Sequence, residues 1–198
     1  MVGYNKELGI KGQLFDGFNA SASVYRIVKN NALTTDPEHP DFQIQAGQLV
    51  SDGVEFDISG NILPNLNLFA NYAYTNARIT KDNNPLLVGS RNYGAVNHTA
   101  NIFARYNFTE GAIKGFSLGA GGQYRGQISG GFGSGYLPNY TLFEASAGYT
   151  YKKMFINLNV YNLFNKNYAT SGYQISDVDW MYTAGEPINY RLSFGFNF

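Results

Sequence analysis

Large apolar side chains recur at every second position in nine stretches of this chain. Successive side chains of an extended strand point to opposite sides, so this alternation predicts β-strands with one apolar and one polar face. No stretch shows the periodicity of a helix with one apolar face. The nine predicted strands cover residues 4–14, 18–28, 43–60, 66–80, 98–108, 116–126, 140–150, 154–162 and 187–198.

The two faces of these strands differ in composition. Six strands have an apolar set without a charged, Asn or Gln side chain, and Ile102 and Leu158 belong to such sets. The opposite faces contain Asn71, Arg105 and Glu144, which are too polar for a dry core. A soluble barrel or sandwich would bury the apolar face, whereas a membrane barrel would turn it toward lipid around a polar interior. Alternation alone does not decide between these arrangements.

Three further features favour the membrane. The predicted strands have the length, ~9–11 residues, that a tilted strand needs to cross a bilayer. Tyr and Phe gather at the ends of the apolar sets, where their amphipathic rings would lie at the level of the lipid headgroups. The connections alternate between short ones, such as 15–17 and 152–153, and long ones at 29–42, 81–97, 127–139 and 163–186. Outer-membrane barrels have short periplasmic turns and longer extracellular loops, which assigns a direction to every strand.

Composition excludes several classes of function. Lys and Arg are as numerous as Asp and Glu, so the chain offers no basic field for nucleic acid. The absence of cysteine excludes disulfides, zinc–thiolate sites and thiol catalysis. No apolar run approaches the ~18 residues of a transmembrane helix. The first residues, MVGYNKELGIKG, do not form a secretory signal, which is expected to be absent from this chain.

No motif predicts an enzyme or a metal site. The two histidines, His39 and His98, have no Ser or Asp placed beside them in a catalytic motif. The acidic loop that begins at Asp36 lacks the spacing of an EF-hand. The glycine-rich segment at 123–138 lacks the helix and the Lys-Ser/Thr pair of a phosphate-binding loop. We therefore expect neither catalysis nor a bound metal or covalent cofactor.

Three segments carry a family resemblance. They are SDGVEFDISGNILPNLNLFANYAYTNARI (51–79), NVYNLFNKNYATS (159–171) and GEPINYRLSFGFNF (185–198). Together they resemble the C-terminal barrel strands of TonB-dependent outer-membrane siderophore receptors. The most specific part is NLFN-x-x-Y followed further along by GEP and a strand that ends on an aromatic residue. The resemblance covers nearly the whole chain.

The resemblance implies a multi-pass protein of the outer membrane of a Gram-negative bacterium that takes up ferric siderophores. Such a receptor has an antiparallel barrel of roughly 22 strands closed by an N-terminal plug, which TonB energises. Residues 1–198 would form one C-terminal segment with about nine or ten of those strands. Plug domain and TonB box are expected to be absent from the chain.

Two alternatives to this interpretation stay open at the level of sequence. One is a self-contained small outer-membrane barrel that acts as a pore or as a structural or adhesive protein. The other is a soluble ligand-binding barrel, which would require the apolar faces to point inward.

The resemblance also implies two groups of functional residues. Aromatic and cationic side chains in the predicted extracellular loops suit a negatively charged or partly aromatic ferric chelate; they are Arg91, Tyr93, Phe132, Tyr136, Tyr173, Trp180 and Tyr182. The last strand resembles the signal that the barrel-assembly machinery recognises, and the residues expected to carry it are Phe194, Phe196 and Phe198. The expected partners are the lipid bilayer, TonB through the absent plug, the assembly machinery and the ferric chelate.

Overall fold

The computed structural model describes residues 2–131, 135–176 and 179–196. Within these residues the chain is largely extended, with one short 3-10 helix at Pro85–Leu87. No helix among them is long and apolar enough to cross a membrane. Phe132 and Phe198, two of the predicted functional residues, lie outside the described residues.

The described residues form thirteen strands. In chain order they are β1 (Val2–Phe15), β2 (Phe18–Thr35), β3 (Gln43–Leu63), β4 (Leu66–Lys81), β5 (His98–Asn107), β6 (Phe116–Arg125), β7 (Ile128–Ser129), β8 (Tyr136–Leu137), β9 (Tyr140–Tyr151), β10 (Met154–Tyr161), β11 (Ala169–Gln174), β12 (Trp180–Ala184) and β13 (Asn189–Phe196). The pairs β7–β8 and β11–β12 are short hairpins inside long connections. The other nine strands correspond to the nine that the sequence predicts, and all nine are confirmed.

The nine long strands form one open antiparallel sheet. Their order is β1-β2-β3-β4-β5-β6-β9-β10-β13, so strands that follow each other along the chain are neighbours once the short hairpins are set aside. Strands β1 and β13 lie at opposite edges, and the described residues contain no pairing between them. A self-contained small barrel would need these two edges to join. The sheet is instead a sector of barrel wall.

The hairpin of β2 and β3 is longer than the sequence predicts. Alternation indicated a strand end at 28 and a loop over 29–42, but β2 continues to Thr35 and pairs with β3 from Gln43 onward. Asn31 has a positive φ of 56°, and the register shifts at this point. An extra residue of this kind reverses the phase of the side chains that follow, which hides a continuing strand from a count of alternation. The connection at 36–42 is therefore no longer than the turn at 108–115.

Side-chain exposure identifies the two faces of the sheet. On β6, Ser117 is 5% exposed, whereas its neighbour Leu118 is 55% exposed. On β5, Ile102 shares the outward face with Leu118 and is 54% exposed. On the sheltered face, Arg105 Nη2 donates hydrogen bonds to Ser117 Oγ at 2.6 Å and to Asn157 Oδ1 at 3.2 Å. The sheet thus shelters polar groups and exposes apolar ones, as an outer-membrane barrel does and a soluble barrel does not.

The connections assign the two ends of the sheet. The turns at 16–17, 64–65, 108–115 and 152–153 lie at one end, which is periplasmic in an outer-membrane barrel. The connections at 36–42, 82–97, 126–139 and 162–188 lie at the other end, which is extracellular.

Candidate functional site

Backbone hydrogen bonds join two of the long connections at the extracellular end. Val96 forms a β-bridge with Ile128. The amide of Gly94 donates to the carbonyl of Ser129 at 2.9 Å, and the amide of Ser129 donates to the carbonyl of Ala95 at 2.9 Å. The connection at 82–97 is therefore fixed along the β7–β8 hairpin of the next connection.

A hydrophobic cluster then holds all three of the last long connections together. We call Ile128, Leu137, Tyr140 and Leu142 the loop core; these four side chains are 1–6% exposed. Val96, Tyr168, Ala169 and Trp180, from the flanking connections, pack against the loop core. The rings of Tyr140 and Tyr168 lie 4.5 Å apart between centroids. The extracellular ends of β4 to β13 thus form one packed layer.

The sequence analysis did not identify the loop core. Its signal is an apolar residue on an otherwise polar face. Leu142 pairs with Gln123 and points to the sheltered side of the sheet, whereas the next residue, Phe143, points outward. A leucine on the polar face near the end of a strand indicates that apolar side chains from a neighbouring connection cover the inner face there.

The NLFN segment closes the base of the connection at 162–188. Asn162 is 5% exposed and has a φ of 48°, a left-handed conformation that Asn adopts more readily than most residues. Its Nδ2 donates to the carbonyls of Lys166 and Glu186, both at 2.9 Å, and its Oδ1 accepts from the amide of Lys166 at 2.8 Å. Asn165 Oδ1 accepts from the amide of Ile188 at 2.9 Å. These bonds connect the NLFN and GEP segments that the sequence singled out.

Tyr168 and Gly185 complete this closure. The amide of Gly185 donates to the carbonyl of Tyr168 at 2.8 Å. The ring of Tyr168 occupies the space that a Cβ on Gly185 would need, so a side chain at that position would displace the ring. Position 185 therefore needs a glycine as long as the ring of Tyr168 lies there.

Three of the predicted ligand contacts lie near one another. The guanidinium carbon of Arg91 is 4.9 Å from the ring centroid of Tyr136. Tyr93 packs directly on Gly131, where an added Cβ would meet the Tyr93 side chain at 2.8 Å. Arg91 forms a β-bridge with Arg78, and residues paired in this way point to the same side. Arg78 bonds to Asp52 at 3.1 Å on the outward face, so Arg91 and Tyr136 are on the outer side of the loop layer.

The other predicted contacts are separate from this group. Trp180 packs against the loop core and against Gly135, on the opposite side of the layer from Tyr136. Tyr173 and Tyr182 belong to the β11–β12 hairpin, point to its two opposite faces and are 43% and 60% exposed. The hydroxyl of Tyr173 donates to the sulfur of Met181 at 3.1 Å. The predicted contact residues that the structure describes therefore do not form one site.

The assembly-signal residues that the structure describes lie on β13. Phe194 and Phe196 are outward-facing and are 86% and 53% exposed. Phe194 pairs with Ile156 and Phe196 with Met154 across the β10–β13 ladder.

A cavity on the inner wall combines charge and aromatic surface. It measures about 320 Å³ and adjoins the loop core, with which it shares Leu142. Arg191 and Tyr161 line it, and the guanidinium carbon of Arg191 is 5.5 Å from the Tyr161 ring centroid. Gln123, Asn189 and Glu186 add polar groups. Arg191 was visible in the sequence as a cation on the polar face of the last strand, but only the register places it beside Tyr161.

The residues weighed for catalysis or metal binding make structural contacts. His98 Nδ1 lies 2.8 Å from the Tyr72 hydroxyl on the aromatic edge of the outward face. Asp36 Oδ1 accepts hydrogen bonds from the amides of Glu38 at 2.8 Å and His39 at 3.3 Å, which shapes the turn between β2 and β3. His98 on β5 and Asp36 in the β2–β3 turn therefore each have a structural contact partner.

Comparison with known proteins gives a consistent result. A family model described as TonB dependent receptor-like, beta-barrel, matches residues 1–163. The metal-pseudopaline receptor CntO of Pseudomonas aeruginosa is 34% identical over 200 residues, which cover 99% of this chain and 28% of that protein. The ferrichrome outer membrane transporter/phage receptor of Escherichia coli is 28% identical over 166 residues, which cover 81% of this chain and 22% of that protein.

Solved structures show the same fold. The ferric preacinetobactin receptor BauA of Acinetobacter baumannii superposes with a TM-score of 0.84 at 22% identity, over 99% of this chain and 29% of that one. The siderophore receptor PiuA of the same organism superposes with a TM-score of 0.82 at 24% identity, over 98% of this chain and 28% of that one. The chain thus spans less than a third of the length of each of these proteins.

Proposed function

Since this chain belongs to the TonB-dependent receptor-like β-barrel family, we propose that it forms part of the wall of a receptor that takes up a ferric siderophore. Its place is the outer membrane of a Gram-negative bacterium, which its strands cross several times. The family consists of receptors and transporters rather than enzymes. Residues 1–198 are the C-terminal segment of the barrel in this proposal, and TonB supplies energy through a plug formed by another part of the protein.

The observation that carries the proposal is the pairing of Arg191 with Tyr161 on the inner wall. A ferric siderophore is an oxygen-rich chelate, commonly anionic and in some classes aromatic. A guanidinium donates strong hydrogen bonds to anionic oxygens, and an aromatic ring offers a flat apolar surface beside it. Leu142 and the ring of Tyr168 add apolar surface on one side of the cavity, and electrostatic attraction is stronger beside apolar surface than in bulk water.

The loop residues contribute at an earlier stage in this proposal. Arg91 and Tyr136 present a cation and a ring at the extracellular end, on the outer side of the loop layer. Tyr93 and, in the sequence, Phe132 belong to the same two connections, and Tyr173 and Tyr182 add aromatic side chains in the connection at 162–188. Trp180 is the predicted contact that lies on the side of the loop core, and we place it nearest to the chelate.

The last strand has a second role in this proposal, which is recognition by the barrel-assembly machinery. Phe194 and Phe196 present large rings on the exposed outward face of an edge strand. An edge strand is able to add to another sheet through backbone hydrogen bonds. Phe198 completes the aromatic series in the sequence.

Ligand binding to the full-length receptor tests the main proposal. Tryptophan fluorescence is titrated with ferrichrome, ferrioxamine B and metal–pseudopaline complexes, the ligands named for related receptors. We expect one of these chelates to bind and the Arg191→Gln variant to bind it about ten- to a hundred-fold more weakly, since a charged hydrogen bond is lost. Arg26→Gln, which removes an arginine from the outward face, is the matched control and should leave the affinity unchanged.

Two results would contradict the proposal. The first is binding of none of the chelates by a folded receptor that binds haem, cobalamin or a glycan instead. The second is an affinity for the chelate that Arg191→Gln and Arg26→Gln leave equally unchanged, which would remove the inner-wall cavity as the binding site.

A further inference from the structure

An apolar groove lies on the outward face of β9, β10 and β13, at the end of the sheet with the short turns. It has a volume of about 610 Å³, and the outward side chains that line it are those of Tyr149, Tyr151, Met154, Ile156 and Phe194. None of these side chains is charged, and Met154 is 62% exposed. The groove therefore suits a flexible hydrocarbon rather than a polar ligand.

Two lysines of the adjoining turn stand beside this groove. Lys152 Nζ is 5.3 Å from the ring centroid of Tyr151, and Lys153 Nζ is 5.9 Å from the ring centroid of Phe196. Tyr151 and Phe196 are the two cross-strand partners of Met154, one on each side. The two ammonium groups thus flank the groove at its periplasmic end, held over rings that border it.

The choice of lysine in this turn is not explained by the turn itself. Lys152 has a φ of 53°, in the left-handed region where two-residue hairpins favour Gly, Asn or Asp. A lysine at this position strains the backbone more than any of those residues would. A charged side chain at a strained backbone position points to a function for the charge.

We propose that the groove and the two lysines together bind one anionic glycerophospholipid of the periplasmic leaflet. The phosphate lies between the ammonium groups of Lys152 and Lys153, and one acyl chain lies along the groove beside Met154 and Ile156. Basic side chains at the membrane surface attract anionic headgroups, and apolar surface buries acyl chain. The inference rests on the membrane orientation in the proposed function and does not depend on which chelate is carried.

Lipid retention by the full-length receptor tests this inference. The purified receptor is titrated in detergent with dioleoylphosphatidylglycerol or with dioleoylphosphatidylcholine, and native mass spectrometry counts the lipids that stay bound. We expect the receptor to retain phosphatidylglycerol in preference to phosphatidylcholine, by about fivefold for each lysine that contacts the phosphate. Free glycerol phosphate should not displace the lipid, because it has no acyl chain for the groove.

The variants separate the charge from the fold. Lys152→Asn with Lys153→Gln removes both charges and places a residue suited to positive φ in the turn, so the hairpin should form at least as readily. This double variant should lose the preference, and Lys152→Asn with Lys153→Arg should recover about half of it on a logarithmic scale. Lys81→Gln with Lys166→Gln removes two exposed lysines at the extracellular end and should keep the full preference.

Several outcomes would overturn the inference. They are equal retention of the two lipids, an unchanged preference in the charge-removed variant, an equal loss in the extracellular control, and displacement by glycerol phosphate, which would show headgroup binding without the groove. Gel mobility before and after heating checks that each variant is folded. Chelate binding is measured on the same preparations, so a failure of the lipid inference is distinguishable from a failure of the proposed function.

Discussion

The barrel wall and the loop layer of this protein follow opposite rules for apolar side chains. In the wall, Ile102 and Leu118 face outward and are 54% and 55% exposed, while Ser117 is sheltered at 5%. In the loop layer, Ile128 is 1% exposed and Leu142 is 6% exposed. One strand, β9, takes part in both: Leu142 points to the loop core, and Phe143 beside it is 45% exposed on the outward face.

The difference follows from the solvent on each side of the chain. Lipid is as apolar as a leucine side chain, so the wall gains nothing by hiding such residues from it. The loop layer meets water, and burial of apolar area there lowers the free energy as in a soluble domain. One chain therefore has an apolar surface that faces lipid and an apolar core that is buried from water. Substitutions in the two regions should have different effects on stability.

The largest effect is expected in the loop layer. Leu142→Ala should destabilise the packing of the three connections by about 2–5 kcal/mol, because it leaves a cavity among the loop core and its neighbours. Hydrogen exchange at the amides of Gly94 and Ser129, which bond across two connections, measures the free energy of local opening. Leu86→Ala, at a residue 85% exposed, is the control and should change it by less than about 0.5 kcal/mol. Equal protection in both variants would count against a packed layer.

The next effect is expected in the wall. Ile102 pairs with Ala70 and Gly122 near the middle of the outward face. Along the strand direction it lies between Tyr72 toward one end of the sheet and Tyr106 toward the other. Ile102→Arg should cost about 2–4 kcal/mol of folding free energy in lipid vesicles, since it places a charge at the bilayer midplane. Unfolding in urea measures this cost.

Gln123→Arg is the control for the wall. Gln123 is at nearly the same height but on the inner face, where it pairs with Asn101. An arginine there meets the polar groups that line the inner-wall cavity, among them Glu186 and Asn189, so the cost should be below about 1 kcal/mol. Similar urea midpoints for the two variants would show that the outward face does not meet lipid.

The smallest effect is expected where the two regions join, at the base of the connection at 162–188. Asn162→Ala removes three hydrogen bonds and places Ala in a left-handed conformation, which should cost about 1–3 kcal/mol of local stability. Asn162→Gly removes the same bonds without the backbone strain and should cost about 1 kcal/mol less. Hydrogen exchange over 163–188 measures the local stability of both variants. Equal stability of Asn162→Ala and Asn162→Gly would contradict backbone strain at position 162.

Much of the wall was predictable from the sequence. The nine long strands and the composition of both faces follow from alternation, since the pleat has a period of two and is a local property. The alternation missed the end of β2, where positive φ and a register shift at Asn31 reverse the phase of the side chains. It also missed the short strands β7, β8, β11 and β12 inside the long connections. The NLFN and GEP segments were visible as motifs, but the hydrogen bonds of Asn162 that join them were not.

The sequence by itself therefore determined the nine long strands and their two faces, and the family resemblance that the comparisons confirm. The tertiary structure decided which face is sheltered, which edges stay unpaired, and how Val96, Ile128 and Trp180 from three connections meet in one layer. It also placed Arg191 beside Tyr161 and the two lysines beside the apolar groove. These contacts join residues far apart in the chain, and their formation depends on register and solvent, which no local pattern records.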